Sequence, residues 1–284
     1  MNILVIGNGF DIAHGLKTSY KNFLLFIRTF SRCYQANIEH AVLSWSDKDD
    51  TSYVEWILDL LRESDRNEIY HEVVSELHKM IDNNLWIEHF NQVEIQEGWV
   101  DFEKEISRVV QAIDRASKDP KTLLDKNTGK FASTIEEYAY NILSLVDGCG
   151  VAIMGMTRIS ELKKRLLDDL NKATRALEIY LSYYVEDEQL RHGMGTIARL
   201  DVVSSLKIDR VLSFNYTDTY ERLYGIPDSN IQYDYIHGKA KKGLNAYTCN
   251  LVLGIDEYLD LEDRDIRNDY IEFKKFYQRI FKRT

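Results

Sequence analysis

"NILVIGNGFD", residues 2 to 11, decides the predicted fold, because a short apolar run there ends abruptly on a glycine-rich turn. The run from Ile3 to Ile6 is continuously apolar and mostly β-branched. Such a run predicts a strand that is buried on both faces of a parallel sheet. Gly7-Asn8-Gly9 then predicts a tight turn that leads into a helix.

The last third of the chain returns to the same alternation of strands and turns. "RVLSF", residues 210 to 214, predicts a strand, and "TDTYERLYG", residues 217 to 225, predicts a short helix that ends at Gly225. "QYDYIHG", residues 232 to 238, predicts an extended segment. "CNLVLGIDE", residues 249 to 257, predicts a fourth, buried strand that ends at Gly254.

The middle of the chain is helical in pattern from about residue 20 to about residue 200. Apolar stripes at helical spacing run through residues 69–86, 102–116 and 159–184, and a capping-box pattern at Ser133 and Thr134 opens a further helix that ends at Gly148. The sequence therefore predicts an α/β protein with a Rossmann-like parallel sheet built from its two end segments. The predicted core comprises residues 1–30 and 205–284, and residues 31–204 form a large all-helical insertion.

The amino-acid composition argues against some kinds of binding surface and some cellular locations. The 284 residues include 36 Lys and Arg against 46 Asp and Glu, a net charge of −10, which argues against a nucleic-acid or anionic-membrane surface. Cys33, Cys149 and Cys249 are far apart, so we expect reduced thiols. The first residues lack the features of a signal peptide, and no run reaches the length of a membrane span, so a cytoplasmic location is expected.

Residues that core packing does not need follow all four predicted strands. Because the carboxyl ends of parallel strands meet at one edge of a sheet, these residues are predicted to line one ligand-binding crevice. Asp11 either stabilises the start of the helix or contacts a ribose hydroxyl. The predicted crevice residues are Gly7, Asn8, Gly9, Phe10 and Asp11, then Asn215, then His237 and Gly238, and finally Gly254 and Asp256.

Asn215 and His237 each have a structural and a functional interpretation. An asparagine after a strand commonly caps a helix, but Asp218 with Glu221 resembles a capping box, which would leave the Asn215 amide free for the crevice. His237 is either a structural histidine or a group that acts near neutral pH on ribose hydroxyls. No histidine pair has the spacing of a metal site, so no metal is expected.

The quoted motifs resemble those of a known family. "ILVIGNGFDIAHGLKTSY" and "FNYTDTYERLYG…YIHG" closely resemble the AbiH family of bacteriophage abortive-infection proteins, and "GWVDFEKEI", residues 98 to 106, resembles the motif in its helical insertion. That resemblance implies a role in defence against phage, with a phage-derived trigger protein and a homo-oligomer as possible partners. Glu103 is a further candidate site residue, because the helical insertion must fold over some face of the sheet. The alternative is a solvated glutamate in the first turn of a helix.

The AbiH family is in turn similar to sirtuin-like domains of NAD-consuming antiphage enzymes. That similarity implies NAD or a related dinucleotide as substrate or ligand, without a further cofactor. Asn215 would orient water and ribose, and His237 would engage the ribose hydroxyls, while the nicotinamide–ribose bond is hydrolysed. Two features depart from the sirtuin-like pattern: Asn8 stands between the glycines, and the interval from Asn215 to His237 is short. A non-catalytic nucleotide sensor is the alternative.

Overall fold

The computed structural model describes residues 1–35, 51–98, 100–147, 152–192, 197–226, 230–243, 245, 248–256 and 268–284. Over these residues the chain is mostly helical. The helices are Asn8–Ala13, Tyr20–Gln35, Thr51–Ser64, Glu68–Ile81, Leu85–Glu97, Phe102–Ala116, Thr134–Asp147, Ala152–Ile179, Asp201–Ser204, Thr219–Tyr224 and Lys275–Lys282, with 3-10 turns at Pro120–Leu123 and Asn268–Phe273.

A three-stranded parallel sheet joins the start of the chain to its last third. The strands are β1 (Ile3–Ile6), β2 (Arg210–Ser213) and β3 (Gln232–Tyr235), in the order β1-β2-β3. The register aligns the last residues of all three strands, so their carboxyl ends lie at one edge. The α/β class and the pairing of distant segments are confirmed, whereas the Rossmann-like topology stays a prediction.

One face of this sheet is open, which corrects the prediction for β1. Ile3 is 49% exposed and Val5 is 59% exposed. Ile6 and Val211 are buried on the opposite face, where the Tyr220 ring lies 6.4 Å from that of Tyr233. A continuous apolar run indicates burial but does not reveal whether one face or both are covered, and the described part of the chain covers only one.

The predicted fourth strand is buried, and among the described residues its ladder contact is an isolated parallel bridge between Ile255 and Lys274 rather than a place in the three-stranded sheet. Leu251, Val252 and Leu253 are at most 1% exposed. The Gln278 side chain donates to the carbonyl oxygen of Leu253 at 3.0 Å and accepts from its N–H at 3.2 Å. A glutamine side chain therefore satisfies both backbone groups of Leu253, and the sheet of the described residues does not include this segment.

The described chain divides into two compact units at positions other than the predicted boundaries. The first comprises residues 1–82, 174–251 and 284, and the second comprises residues 83–173 and 252–283. The first unit includes helices that were assigned to the insertion, because Phe26 of Tyr20–Gln35 packs on Tyr53 and Trp56 of Thr51–Ser64 with ring centroids 5.9 Å away. These helices therefore share the core of the first unit.

The predicted stripe over residues 159–184 forms one long helix, as its spacing requires. The helix Ala152–Ile179 continues with π-helical hydrogen bonding over Tyr180–His192. Runs of π-helix this long are rare, and short π segments are often associated with functional positions. Within the first unit this π-helical segment carries Tyr180 and Tyr184 into the aromatic core and holds Glu186 in a buried position.

The second unit is built around the helix Phe102–Ala116, whose predicted apolar stripe is buried. Its Phe102 ring stacks on Phe90 with centroids 3.9 Å apart. The predicted stripe over residues 69–86 is broken into two helices, since Asn83 has a positive φ and Asn84 caps the next helix. Gly148 and Cys149 lie outside the described residues. Within the described ranges, no helix combines the length and the apolarity that a membrane span needs.

Candidate functional site

At the edge of the sheet where its strands end, the first helix contacts the segment that follows β2. The Asp11 side chain is buried, and its Oδ2 atom accepts a hydrogen bond from the Thr217 hydroxyl at 2.5 Å. The Thr219 hydroxyl donates in turn to the Thr217 oxygen at 3.1 Å. Two threonine hydroxyls therefore support one buried carboxyl group.

The Asp11 carboxyl is only partly satisfied by its neighbours. Burial raises the pKa of Asp11, although the side chains of Thr217, Thr219 and Asn215 and the nearby His14 oppose that rise. Its second oxygen, Oδ1, has no hydrogen-bond partner although it is buried. A buried acceptor without a donor is unusual and indicates a place where a water or ligand would be stabilised.

Asn215 carries two further unsatisfied polar atoms. The residue is 5% exposed, and its backbone N–H donates to the Ser213 hydroxyl at 3.1 Å. Its side-chain amide lies close enough to Asp11 to act as a donor that opposes the burial-driven rise in the pKa of that carboxyl, but at the observed geometry neither Oδ1 nor Nδ2 makes a hydrogen bond. The side chain thus caps no helix, and a donor and an acceptor remain available beside Asp11.

The capping box predicted at Asp218 does not form. Asp218 precedes the helix Thr219–Tyr224 but makes no side-chain cap, because its carboxylate is engaged by Arg222 at 2.5 Å and Lys239 at 3.0 Å. Glu221 likewise pairs with Lys239, at 2.9 Å. The prediction of a capping box at Asp218 and Glu221 is therefore wrong, although the side chain of Asn215 also caps no helix.

The glycine turn leaves open space next to its backbone. A methyl group placed on Gly7 or Gly9 would meet nothing within 4 Å. The helix that follows, Asn8–Ala13, has only six residues, so the electrostatic effect expected from its amino terminus is small. The Oδ1 atom of Asn8 accepts a hydrogen bond from the Thr18 hydroxyl at 2.6 Å, which ties this turn to the start of the next helix.

Phe10 belongs to an aromatic cluster beneath the turn. Its ring centroid lies 4.5 Å from His14 and 5.9 Å from Tyr224. The Nδ1 atom of His14 is 2.7 Å from the Phe10 carbonyl oxygen, which can only accept, so Nδ1 carries a hydrogen. The Nε2 atom lies 2.7 Å from the Tyr224 hydroxyl, and that hydroxyl accepts from the Leu200 N–H at 2.7 Å. This network fixes the turn from below.

His237 lies beside the residues that flank Asn215. Its ring centroid is 5.6 Å from Phe214 and 6.4 Å from Tyr216. Gly238 has a φ of +83°, and a methyl group there would be 2.3 Å from the Asn250 carbonyl oxygen. The close approach that this glycine permits is therefore made by the chain itself.

Three predicted site residues belong to the second unit, where a lysine connects two of them. Lys275 is 2% exposed, and its Nζ atom lies 2.5 Å from Glu103 and 3.2 Å from Asp256. Burial raises the pKa of Glu103, although Lys275 opposes that rise. Glu103 is therefore not a simply solvated glutamate. Gly254 permits a close approach of the Phe273 carbonyl oxygen, 2.2 Å from the position of an added methyl group.

Sequence reasoning missed three polar residues that the structure brings into these networks: Thr217, Glu186 and Lys275. Burial and the adjacent Asp218 carboxylate raise the pKa of Glu186 to about 8, against the opposing effect of Arg222 and Lys239. Thr217 was detectable because it is a polar residue in the short segment between β2 and the next helix. Glu186 follows an apolar helical stripe and Lys275 lies in a basic helix, so neither gave a distinguishing pattern.

Comparison with known proteins agrees with these motifs. No curated protein and no solved structure matches the chain. The family model described as "Bacteriophage abortive infection AbiH" matches residues 3–284. That range contains the glycine turn, Asn215 and His237, and it covers essentially the whole chain. The chain therefore belongs to the AbiH family of bacteriophage abortive-infection proteins.

Proposed function

We propose that this AbiH-family protein binds NAD or a related dinucleotide at the carboxyl edge of its sheet and hydrolyses the nicotinamide–ribose bond to halt infected cells. The observation that carries the proposal is the buried Asn215 amide, which has neither a donor nor an acceptor partner. Leaving a buried polar group unsatisfied costs about 1–3 kcal/mol, so a polar partner in the bound state would recover that free energy.

The surroundings of Asn215 suit a ribose and its neighbouring phosphates. Asp11 Oδ1 is a second buried acceptor without a partner, and ribose hydroxyls are donors that match it. Gly7 and Gly9 leave room for a ligand to approach the backbone. Negative charge on Asp11, when it is ionised, also favours a substrate that develops positive charge at the ribose.

The reaction balances with water as the only co-substrate. The bond between ribose C1′ and the nicotinamide nitrogen breaks, and its electron pair leaves with neutral nicotinamide. Water then attacks the oxocarbenium-like carbon and releases one proton. In this mechanism Asn215 orients the water and the ribose, His237 holds a ribose hydroxyl, and Asp11 stabilises the developing positive charge.

A non-catalytic nucleotide sensor is the second candidate function. It is favoured by the packing of His237, whose ring lies against Phe214 and Tyr216, and by the contact of Gly238 with Asn250. A histidine held in this way can serve to recognise a nucleotide without moving a proton. For the hydrolase and for the sensor alike, we also predict a phage-derived trigger, a homo-oligomer and a cytoplasmic location.

The test is to incubate the purified chain with NAD, with and without phage lysate, and to measure nicotinamide release and NAD binding separately. We expect release by the unmodified chain and a loss of at least 100-fold in Asn215→Ala and His237→Ala, whereas the exposed-site control Asn127→Ala retains activity. Binding without release would favour the sensor. Absence of both binding and release, without phage lysate and also with it, would contradict both functions.

A further inference from the structure

A cavity of about 450 Å³ lies at the opposite end of the sheet from Asn215. It is lined by residues just before β2, such as Ile208, just before β3, such as Ile231, and by the helix Thr219–Tyr224. This volume falls within the usual range of small-molecule sites. All lining residues belong to the first unit, so the cavity is complete within it.

The cavity has aromatic and apolar walls. Tyr220 and Tyr224 contribute two nearly parallel rings with centroids 5.3 Å apart. Leu206 and Ile226 also line it and are 45% and 66% exposed. Large apolar side chains with this much exposure around a concave surface are typical of a binding site, since isolated exposed residues would not surround one hollow.

Two positively charged side chains line the cavity. Arg199 and Lys207 both line it, and neither has an ion-pair partner among the described residues. Asp209, the one carboxylate among the described lining residues, accepts from the Asn2 N–H at 2.6 Å and lies 3.6 Å from the Met1 amino group. The negative charge of Asp209 is thus largely compensated, so Arg199 and Lys207 give the cavity a positive charge.

We propose that this cavity binds a small organic anion with a planar, largely apolar ring system. The ring would pack against Tyr220, Tyr224 and the apolar walls, and the anionic group would interact with Arg199 and Lys207. This site is separate from the proposed dinucleotide site and does not depend on it.

Hydrogen bonds connect the cavity wall directly to the glycine turn. Tyr224 lines the cavity, and its hydroxyl lies 2.7 Å from His14 Nε2, while His14 Nδ1 donates to the Phe10 carbonyl oxygen at 2.7 Å. A ligand that restrains Tyr224 would therefore reduce the motion of residues 7–14. The site is that of an effector rather than of a substrate.

The test uses 8-anilinonaphthalene-1-sulfonate, an aromatic anion, as the probe on the full chain. We expect saturable binding and reduced hydrogen exchange in residues 199–209, 220–226 and 7–14. The double variant Arg199→Gln/Lys207→Gln should bind at least tenfold more weakly, whereas Lys126→Gln/Lys130→Gln, which removes the same charge elsewhere, should bind normally.

A second variant, Val203→Trp, fills the cavity and should also weaken binding at least tenfold while thermal unfolding stays cooperative. Unchanged affinity in Arg199→Gln/Lys207→Gln, or exchange protection confined to other segments, would overturn the proposal. Because the readout contains no nucleotide, a failure here is independent of the fate of the proposed NAD hydrolysis.

Discussion

The Thr217 hydroxyl donates a hydrogen bond of 2.5 Å to the buried Asp11 carboxyl, and the two residues are 206 positions apart in the chain. This bond joins the helix Asn8–Ala13, which follows β1, to the segment that follows β2. It therefore depends on the parallel pairing of these two strands, and it places a buried titratable group beside Asn215.

Removing the Thr217 hydroxyl is expected to destabilise the fold. Thr217→Val should lower the free energy of unfolding by roughly 1–3 kcal/mol, because Asp11 then loses the donor to its Oδ2 atom. Thr217→Ser, which retains the hydroxyl, is the control and should cost less than about 1 kcal/mol. Urea denaturation at pH 7 measures both variants, and equal losses would show that the hydroxyl stabilises this position no more than the methyl group does.

Asn215 should contribute little to stability despite its burial. In Asn215→Ala the cost of the new cavity is offset by removal of two unsatisfied polar atoms, so we expect a change within about 1 kcal/mol. The control is Asn84→Ala, since the buried Asn84 side chain accepts from Trp86 and Ile87 N–H groups and donates to the Asp169 carbonyl. That variant should lose roughly 1–3 kcal/mol. A similar loss in Asn215→Ala would contradict a functional reason for the amide.

Gly238 should be intolerant of any side chain. Gly238→Ala combines a positive φ with a methyl group 2.3 Å from the Asn250 carbonyl oxygen, so it should cost more than about 2 kcal/mol. Gly243→Ala is the matched control: its φ is +73°, but nothing lies within 4 Å, so it should cost only about 1 kcal/mol. Thermal denaturation compares the two, and equal losses would mean that the Asn250 contact is not restrictive.

Glu186 should make the protein less stable as the pH rises. Its folded-state pKa of about 8 exceeds the ordinary value of 4.5, so its contribution is fully present below pH 4.5 and is lost as the pH rises towards 8. The groups that face it are Asp218, Arg222 and Lys239. Between pH 5 and pH 8.5, we expect the unfolding free energy of the unmodified chain to fall by roughly 1–3 kcal/mol more than that of Glu186→Gln.

The control for this pH dependence is Asp187→Asn, the neighbouring carboxylate, which pairs with Lys242 at 2.5 Å. It should leave the slope between pH 5 and pH 8.5 unchanged. If Glu186→Gln and the unmodified chain show the same slope, Glu186 is ionised at neutral pH and its burial does not hold a proton.

Much of the fold was predictable because apolar spacing is a local property. The stripes in Phe102–Ala116 and in the long helix beginning at Ala152 were confirmed as buried, and the strand pairing of the two end segments followed from their short apolar runs. The exposure of Ile3 and Val5 was not predictable, because it depends on which elements cover the sheet. The position of the segment before Gly254 outside this sheet was also not predictable, since Leu253 bonds to Gln278, a polar side chain in a distant helix.

The candidate site was predictable in its location but not in its details. The positions of the glycine turn, Asn215 and His237 relative to the strands follow from the ends of apolar runs. Two details depend on tertiary contacts that the sequence does not reveal. The Asn215 side chain lacks hydrogen-bond partners, and the Asp218 carboxylate pairs with Arg222 and Lys239. Glu103, Gly254 and Asp256 were predicted for the same crevice, and that assignment stays a prediction, since these residues belong to the second unit.

A crystal structure of the full chain with NAD at saturating concentration tests the proposed site most directly. The proposal predicts density for the dinucleotide beside Gly7 and Gly9, with hydrogen bonds from its ribose to the Asn215 amide and to Asp11 Oδ1. Density that fills the cavity beside Tyr224 and leaves Asn215 untouched would contradict it, and so would a complex in which the Asn215 amide bonds only to ordered water.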